Sequence, residues 1–238
     1  MTGLRFLCDC GKEHTSDVES ICLGAGVLPQ GIEGIAGLGH KALLIADTNT
    51  WDCAGDRVAG LLSQKIALDT YVFPDKALIP DEYALGRVLM ALAPDTDLLV
   101  AVGSGTINDI TRYISAKTGI PYAVVGTAPS MDGYASVVAP LIRGGVKITF
   151  PGVYPRLIAA DTGILKNAPA RMLAAGFGDV IGKVTALLDW RLSHILYDEY
   201  TCESIMGLVQ QAVDRWIEIA PALRKRDERG VEAVTEAL

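Results

Sequence analysis

The stretch Asp97-Leu98-Leu99-Val100-Ala101-Val102-Gly103-Ser104-Gly105-Thr106-Ile107-Asn108-Asp109 decides the fold. Its first half is an unbroken apolar run, as expected of a strand buried on both faces. Two glycines punctuate it. Helical spacing then runs from Ile107 to Lys117, with Gly119 as a stop and Pro121 beyond. Strand, tight turn and helix make half of a βαβ unit, and the pattern recurs on both sides. Upstream, KALLIA (41–46) is another buried strand closed by Asp47, followed by helical spacing over 51–62. Residues 70–73 read as a strand halted by Pro74. Pro80 opens a helix to about Leu92, with Asp81 and Glu82 in its first turn. Downstream, 122–125 is a fourth strand, closed by Gly126. This alternation predicts an α/β protein with a parallel sheet.

The pattern changes near Asp161. Residues 165–175, 178–200 and 201–219 carry helical spacing, and β-branched runs disappear. An α/β domain over 1–160 followed by an all-helical domain over 161–238 is therefore expected. Pro221 marks a kink or the start of a helix, and the mixed charges of 224–229 form a solvated helix face. The segment GVEAVTEAL (230–238) begins an amphipathic helix and stops without a cap, so the helical domain is expected to lack its C-terminal part.

Composition excludes several classes. With 50% hydrophobic residues in 238, enough apolar surface exists to offset the entropy of ordering the chain. Five cysteines, an odd number, do not make a disulfide scaffold. A net charge of -7 lacks the basic footprint of nucleic-acid binding. No apolar run reaches the roughly 18–20 residues of a membrane span. Cys8-Asp9-Cys10 interrupts the N-terminus before a signal-peptide core can develop. A soluble cytoplasmic protein is expected.

Five places could carry chemistry. In the turn around Gly103-Ser104-Gly105-Thr106, the backbone could approach a phosphate while the helix N-terminus offers free N–H groups; a ligand-free βα turn would look the same. The spacing is not G-x-G-x-x-G, because Asn108 stands at the third position. Asp47, at a strand end, could accept from both ribose hydroxyls of an adenosine and would disfavour a 2′-phosphate, or could simply form a turn beside Asn49. The polar segment 126–136 lies beyond a strand C-terminus, where open parallel sheets bind ligands. It offers the hydroxyls of Thr127, Ser130 and Ser136 and the carboxylate of Asp132, although Asp132-Gly133 alone would fit an Asx turn. In 174–183, small residues allow close approach around Asp179, with Lys183 one turn on. The pair could face a metal and an anionic substrate; otherwise Asp179 is a helix cap and the two form an ordinary (i, i+4) ion pair. Cys8-x-Cys10-x3-His14 supplies three soft ligands, one short of a structural zinc site, so a glycine-turned hairpin with free thiols is the plainer reading. His194, in an apolar helical stretch, reads as a packing residue. No Ser-His-Asp arrangement and no P-loop can be assembled.

Taken in order, GSGTINDITRY (103–113), TAPSMDGYAS (127–136), KITFP (147–151) and AAGFGDVIGKVTALLDW (174–190) resemble the sn-glycerol-1-phosphate dehydrogenases. These belong with the iron-type alcohol dehydrogenases, glycerol dehydrogenases and 3-dehydroquinate synthases. The resemblance extends over 20–220, and CDCGKEH (8–14) is similar to bacterial members. It implies a nucleotide-binding α/β domain, a helical metal-binding domain and an active site between them. By the same resemblance Asp47 binds the adenosine ribose of NAD or NADP, and Gly103, Ser104, Gly105, Thr106 and Ile107 cradle the pyrophosphate. Thr127, Ser130 and Ser136 contact the dinucleotide, Asp132 the substrate, and Asp179 both substrate and a divalent zinc or nickel ion. The implied reaction is reversible hydride transfer between NAD(P)H and dihydroxyacetone phosphate, giving sn-glycerol 1-phosphate, in a homo-oligomer. Lys183 as a phosphate or alkoxide partner comes from its position instead. Family members complete the metal site with histidines further along the chain. These 238 residues reach none of them, so little or no dehydrogenase activity is expected from them alone. Glycerol oxidation, a dehydroquinate synthase-like cyclisation, or nucleotide binding without catalysis are the other readings.

Overall fold

The computed structural model describes residues 5–75, 77–224 and 227–237. A short antiparallel hairpin comes first, β1 (Arg5–Leu7) and β2 (Glu13–Thr15). The main sheet then begins with β3 (Ser20–Gly24) and α1 (Leu28–Ala36), followed by β4 (Lys41–Asp47). A single turn, α2 (Thr48–Thr50), a π-helical turn over Trp51–Gly55 and α3 (Asp56–Leu62) lead to β5 (Ala67–Phe73). Next come α4 (Glu82–Ala91), β6 (Leu98–Gly103), α5 (Gly105–Thr118) and β7 (Tyr122–Gly126). A second hairpin, β8 (Val138–Arg143) and β9 (Val146–Pro151), precedes β10 (Leu157–Asp161). The helices α6 (Thr162–Leu165), α7 (Ala170–Tyr197), α8 (Glu203–Arg224) and α9 (Glu228–Ala237) complete the described chain.

Six strands form one parallel sheet in the order β3-β10-β7-β6-β4-β5. Alternation along the central strands explains their continuous apolar runs. On β4, Ala42, Leu44 and Ala46 pack with α1 and α3 on one face. Leu43 and Ile45 point the other way, into a core shared with Val88 of α4 and with Ile107, Ile110 and Ile114 of α5. A third cluster joins Ala160 of β10 to Val180, Val213, Trp216 and Val231 of the C-terminal helices.

All four expected strands are present, and so is the glycine-turned hairpin around Cys8–His14, while β3, β10 and the β8–β9 hairpin lie outside the expected elements. The expected stop Gly119 ends α5 at φ 74°, whereas Asp81, expected in the first turn of α4, is instead its N-cap and accepts from the Ala84 amide at 2.9 Å. One further expectation fails. The helices over 165–175 and 178–200 are mainly one continuous helix, α7, which passes through Gly176 and Gly178. Packing of Leu173, Gly176 and Val180 overrides the low helix propensity of glycine. Of the two expected roles of Pro221, the helix start is excluded, because the residue lies inside α8. In the charged run 224–229, Lys225 and Arg226 lie outside the described residues. No helix among the described residues is long and apolar enough to cross a membrane.

The β6–α5 junction admits no spacer. A Cβ on Gly103 would stand 2.6 Å from Ile107 Cβ and 2.8 Å from its Cγ1. Helix α5 can therefore start directly off the central strand only because residue 103 has no side chain. Gly103→Ala is expected to lower the urea midpoint at unchanged slope, by about 1–3 kcal/mol of overpacking.

Candidate functional site

Parallel strands end on the same edge of the sheet, and the residues singled out in the sequence gather there. Asp47 closes β4, where its Oδ1 accepts from the Thr50 amide at 2.9 Å and Thr50 Oγ1 accepts from the Asp47 amide at 3.0 Å. This reciprocal cap holds the carboxylate at the lip of a cleft of about 750 Å³. Ser104, Thr106, Ile107 and Thr127 border the same cleft. Ser104 is the N-cap of α5, yet its side chain makes no capping bond, and no acidic residue occupies the first turn. The first-turn amides and the positive end of the helix are thus available to an anion. Gly103 lies beneath, buried, with its carbonyl accepting from the Thr127 amide at 3.1 Å.

Gly105 and Thr106 also border a recess of about 530 Å³ with Ser130 and Met131, and a second cleft of about 630 Å³. The second cleft contains Asp132, Ser136 and Asp179. Thr106 borders all three spaces, so they meet at the start of α5. Ser136 is placed here, apart from Thr127 and Ser130, and its Oγ accepts from the Val138 amide at 3.1 Å.

Asp179 is neither an N-cap nor a first-turn residue. It lies well inside α7, and its Oδ2 accepts from the Asp132 amide at 2.7 Å, tying the helix to the loop after β7. Lys183 ion-pairs with Asp132 across that loop rather than with Asp179 along its own helix. Asp132, Asp179 and Lys183 are therefore one connected group. His194 is exposed, with Nδ1 2.8 Å from the Glu199 carbonyl beyond the end of α7, and is not a packing residue.

Several residues were not anticipated. Arg112 has no exposed surface and uses all five of its N–H donors. It reaches Tyr122 Oη at 3.1 Å, Asp109 Oδ1 at 2.8 Å, the Val138 and Tyr134 carbonyls each at 3.1 Å, and the Gly133 carbonyl. Asn108 Nδ2 donates to the same Gly133 carbonyl at 3.1 Å. The loop carrying Asp132 and Ser136 is thus hung from α5. Burial pushes the Asp109 carboxyl up to about 6, against the pull of Arg112 and Lys147. Burial also raises Tyr134 well above the usual phenol range. Its neutral hydroxyl donates to the Ala128 carbonyl at 2.8 Å. Asp161 closes β10 as Asp47 closes β4; it accepts from the amides of Gly26, Leu28 and Gly163 and borders the first cleft. An aspartate ending an apolar run was the signal that found Asp47, and it was equally present in LIAAD (157–161).

A catalytic metal site takes about three protein ligands plus an open position. Among the described residues, no group of three His, Cys, Asp or Glu side chains includes Asp179. These residues therefore do not fit a catalytic metal at Asp179 by themselves.

Arg112→Met is expected to destabilise the chain by about 3–5 kcal/mol, because it strands a buried carboxylate and the carbonyls the guanidinium held. Chemical denaturation measures this directly.

The chain resembles known proteins over nearly its whole length. It is 40% identical over 239 aligned residues to the NAD(P)+ glycerol-1-phosphate dehydrogenase of Halalkalibacterium halodurans, covering 97% of this chain and 59% of that protein. The Bacillus subtilis enzyme of the same name is 34% identical, with 93% and 57% covered. The chain thus spans about three-fifths of the length of these curated relatives. Among solved structures, the glycerol dehydrogenase of Schizosaccharomyces pombe superposes with a TM-score of 0.78 at 20% identity, over 92% of this chain and 58% of that one. The maleylacetate reductase of a Rhizobium species gives 0.73 at 20% identity, over 92% and 60%; both likenesses concern the fold. A profile of the iron-containing alcohol dehydrogenases matches residues 23–169. That match covers more than half of the chain, which belongs to the iron-containing alcohol dehydrogenase family.

Proposed function

We propose that the chain forms the dinucleotide-binding side of an oxidoreductase that transfers hydride between NAD(P)H and dihydroxyacetone phosphate, giving sn-glycerol 1-phosphate. The observation that carries this reading is the meeting of two clefts at one helix N-terminus, with Thr106 on both. A dinucleotide in the first cleft would bring its nicotinamide to the edge of the second. The names of the relatives, NAD(P)+ glycerol-1-phosphate dehydrogenases, support the substrate assignment.

In this reading Asp47 accepts from the ribose hydroxyls, and its charge favours NAD over NADP. The amides of Gly105, Thr106 and Ile107 bind the pyrophosphate, with Ser104 and Ser130 beside them. Arg171 borders the first cleft and the recess and supplies a cation from the opposite side. Thr127 contacts the dinucleotide, and Gly103 acts by letting α5 approach. Ser136, from its place in the second cleft, is assigned to the substrate. Asp132 fixes a substrate hydroxyl, and Lys183, held on Asp132, offers an ammonium to the phosphate or to the oxygen that gains a proton as hydride reaches carbon. Lys147 adds a second cation on the substrate side. Asp179 holds the Asp132 loop in register and is the residue assigned to zinc or nickel in the whole protein. Because Asp179 has no second and third ligand around it among the described residues, these 238 residues are expected to bind dinucleotide without rapid turnover.

Titration of the 238-residue chain with NADH and NADPH, followed by calorimetry, tests the assignment. Asp47→Ala is expected to weaken NADH about tenfold or more, the loss of a charged hydrogen bond, and to narrow the gap to NADPH. Failure of the folded chain to bind either dinucleotide, or an Asp47 variant whose NADH affinity and preference over NADPH are unchanged, would overturn the reading.

A further inference from the structure

Four metal-ligating side chains converge at a place outside the lining of the clefts. Cys8, Cys10 and His14 come from the β1–β2 hairpin, and Cys202 stands immediately before α8. Their ligand atoms all lie within 4.8 Å of one another. Cys8 and Cys202 are buried, while Cys10 and His14 are half-buried, and all the cysteines are free thiols. The separations have a specific size. Zinc bound tetrahedrally, with Zn–S about 2.3 Å and Zn–N about 2.0–2.1 Å, requires S···S edges of about 3.8 Å and S···N edges of about 3.6 Å. Here Cys8 Sγ is 3.6 Å from Cys202 Sγ, and His14 Nε2 is 3.5 Å from Cys10 Sγ and 3.4 Å from Cys202 Sγ.

The surroundings suit a thiolate-rich site. Three thiolates around a divalent ion leave one net negative charge. Lys12 Nζ is nearby, 3.4 Å over the Tyr200 ring, whose Oη is 3.1 Å from Cys10 Sγ. Cys8 Sγ also lies 3.5 Å from Ser204 Oγ. Cys202 precedes the first turn of a 22-residue helix, whose positive end stabilises a thiolate. The hairpin itself is short. Its strands are three residues each, Leu7 is 79% exposed, and an isolated two-stranded hairpin is marginal in water.

We propose that Cys8, Cys10, His14 and Cys202 form a closed Cys₃His structural zinc site that staples the N-terminal hairpin to the start of α8. The site is separate from the catalytic metal assigned to Asp179, since none of its four residues borders any of the clefts described above. With four protein ligands it has no open position for substrate. Binding displaces the protons of the three thiols to solvent and leaves the metal's oxidation state unchanged.

The test is made on the 238-residue chain purified with zinc present and then washed with a chelator. About one zinc per chain is expected to remain, with an X-ray absorption shell of three sulfurs at about 2.3 Å and one nitrogen at about 2.0 Å. Replacement by cobalt(II) should give intense tetrahedral visible bands and thiolate charge-transfer absorption. Cys202→Ser is expected to abolish retention, whereas His14→Cys and Asp179→Ala retain the ion. Should Cys202→Ser fail to fold, the sulfur shell of the parent chain decides. A chain without tightly held metal, an oxygen-dominated shell, retention unchanged in a folded Cys202→Ser variant, or a Cys8–Cys202 disulfide in its place would each overturn the proposal.

Discussion

Between Gly103 and Ile107 there is no room for even one methyl group, and the candidate site is built on that closeness. Because β6 ends in a residue without a side chain, α5 starts at the sheet edge itself and brings its unpaired amides to where the strands end. The same Gly103 carbonyl accepts from the Thr127 amide and lies 3.3 Å from Tyr134 Oη. The end of β7 and the loop behind it are therefore set by the position of one peptide group. Two clefts share a wall because one backbone turn makes both walls.

The buried Arg112 extends this constraint outward. A fully desolvated guanidinium is costly unless every donor is matched, and here each one is. Its partners come from α5, β7, β8 and the loop that carries Asp132. A loop that moved would leave donors unpaired in an apolar environment, so the network specifies one loop conformation. Asp179 adds the second anchor from α7, through the Asp132 amide. The loop thus spans the sheet side and the helical side and is fixed by a polar bond at each.

How much of this could be read from sequence follows from burial. Strands covered on both faces, such as β4, β6 and β7, are plain as apolar runs. The edge strand β3 alternates in exposure over five residues, and β10 is an equally short run that coincides with the change of pattern near Asp161. The β8–β9 hairpin carried a usable signal in Gly144-Gly145, a pair suited to a two-residue turn, but its half-exposed strands lack a clear apolar face. Residues 47, 104–107, 127, 130, 132 and 136 reach one edge because parallel strands point the same way, which is why position after a strand is informative, whereas Asp179 arrives there on α7. Arg112 was illegible, since a lone arginine at helical spacing reads as a surface residue. Cys202 was equally hidden: it stands 188 residues from His14 and has no cysteine or histidine within seven positions.

The strand order has a consequence for synthesis. β3 is made first among the six strands of the sheet, yet its partner in the ladder is β10, which follows more than a hundred residues later. At ribosomal rates of about 5–20 residues per second, roughly 7–27 s separate the two. Through that interval the apolar face of α1, with Leu28, Ile32 and Ile35, also waits for Leu157 and Ala159 to complete its packing. The β4–β7 half can close on local crossovers in the meantime. The segment that leaves the ribosome early is thus the one that docks late, and the nascent chain passes through a stage in which a finished half-sheet and an orphaned β-strand coexist. For this architecture, the vulnerable species is a translation intermediate.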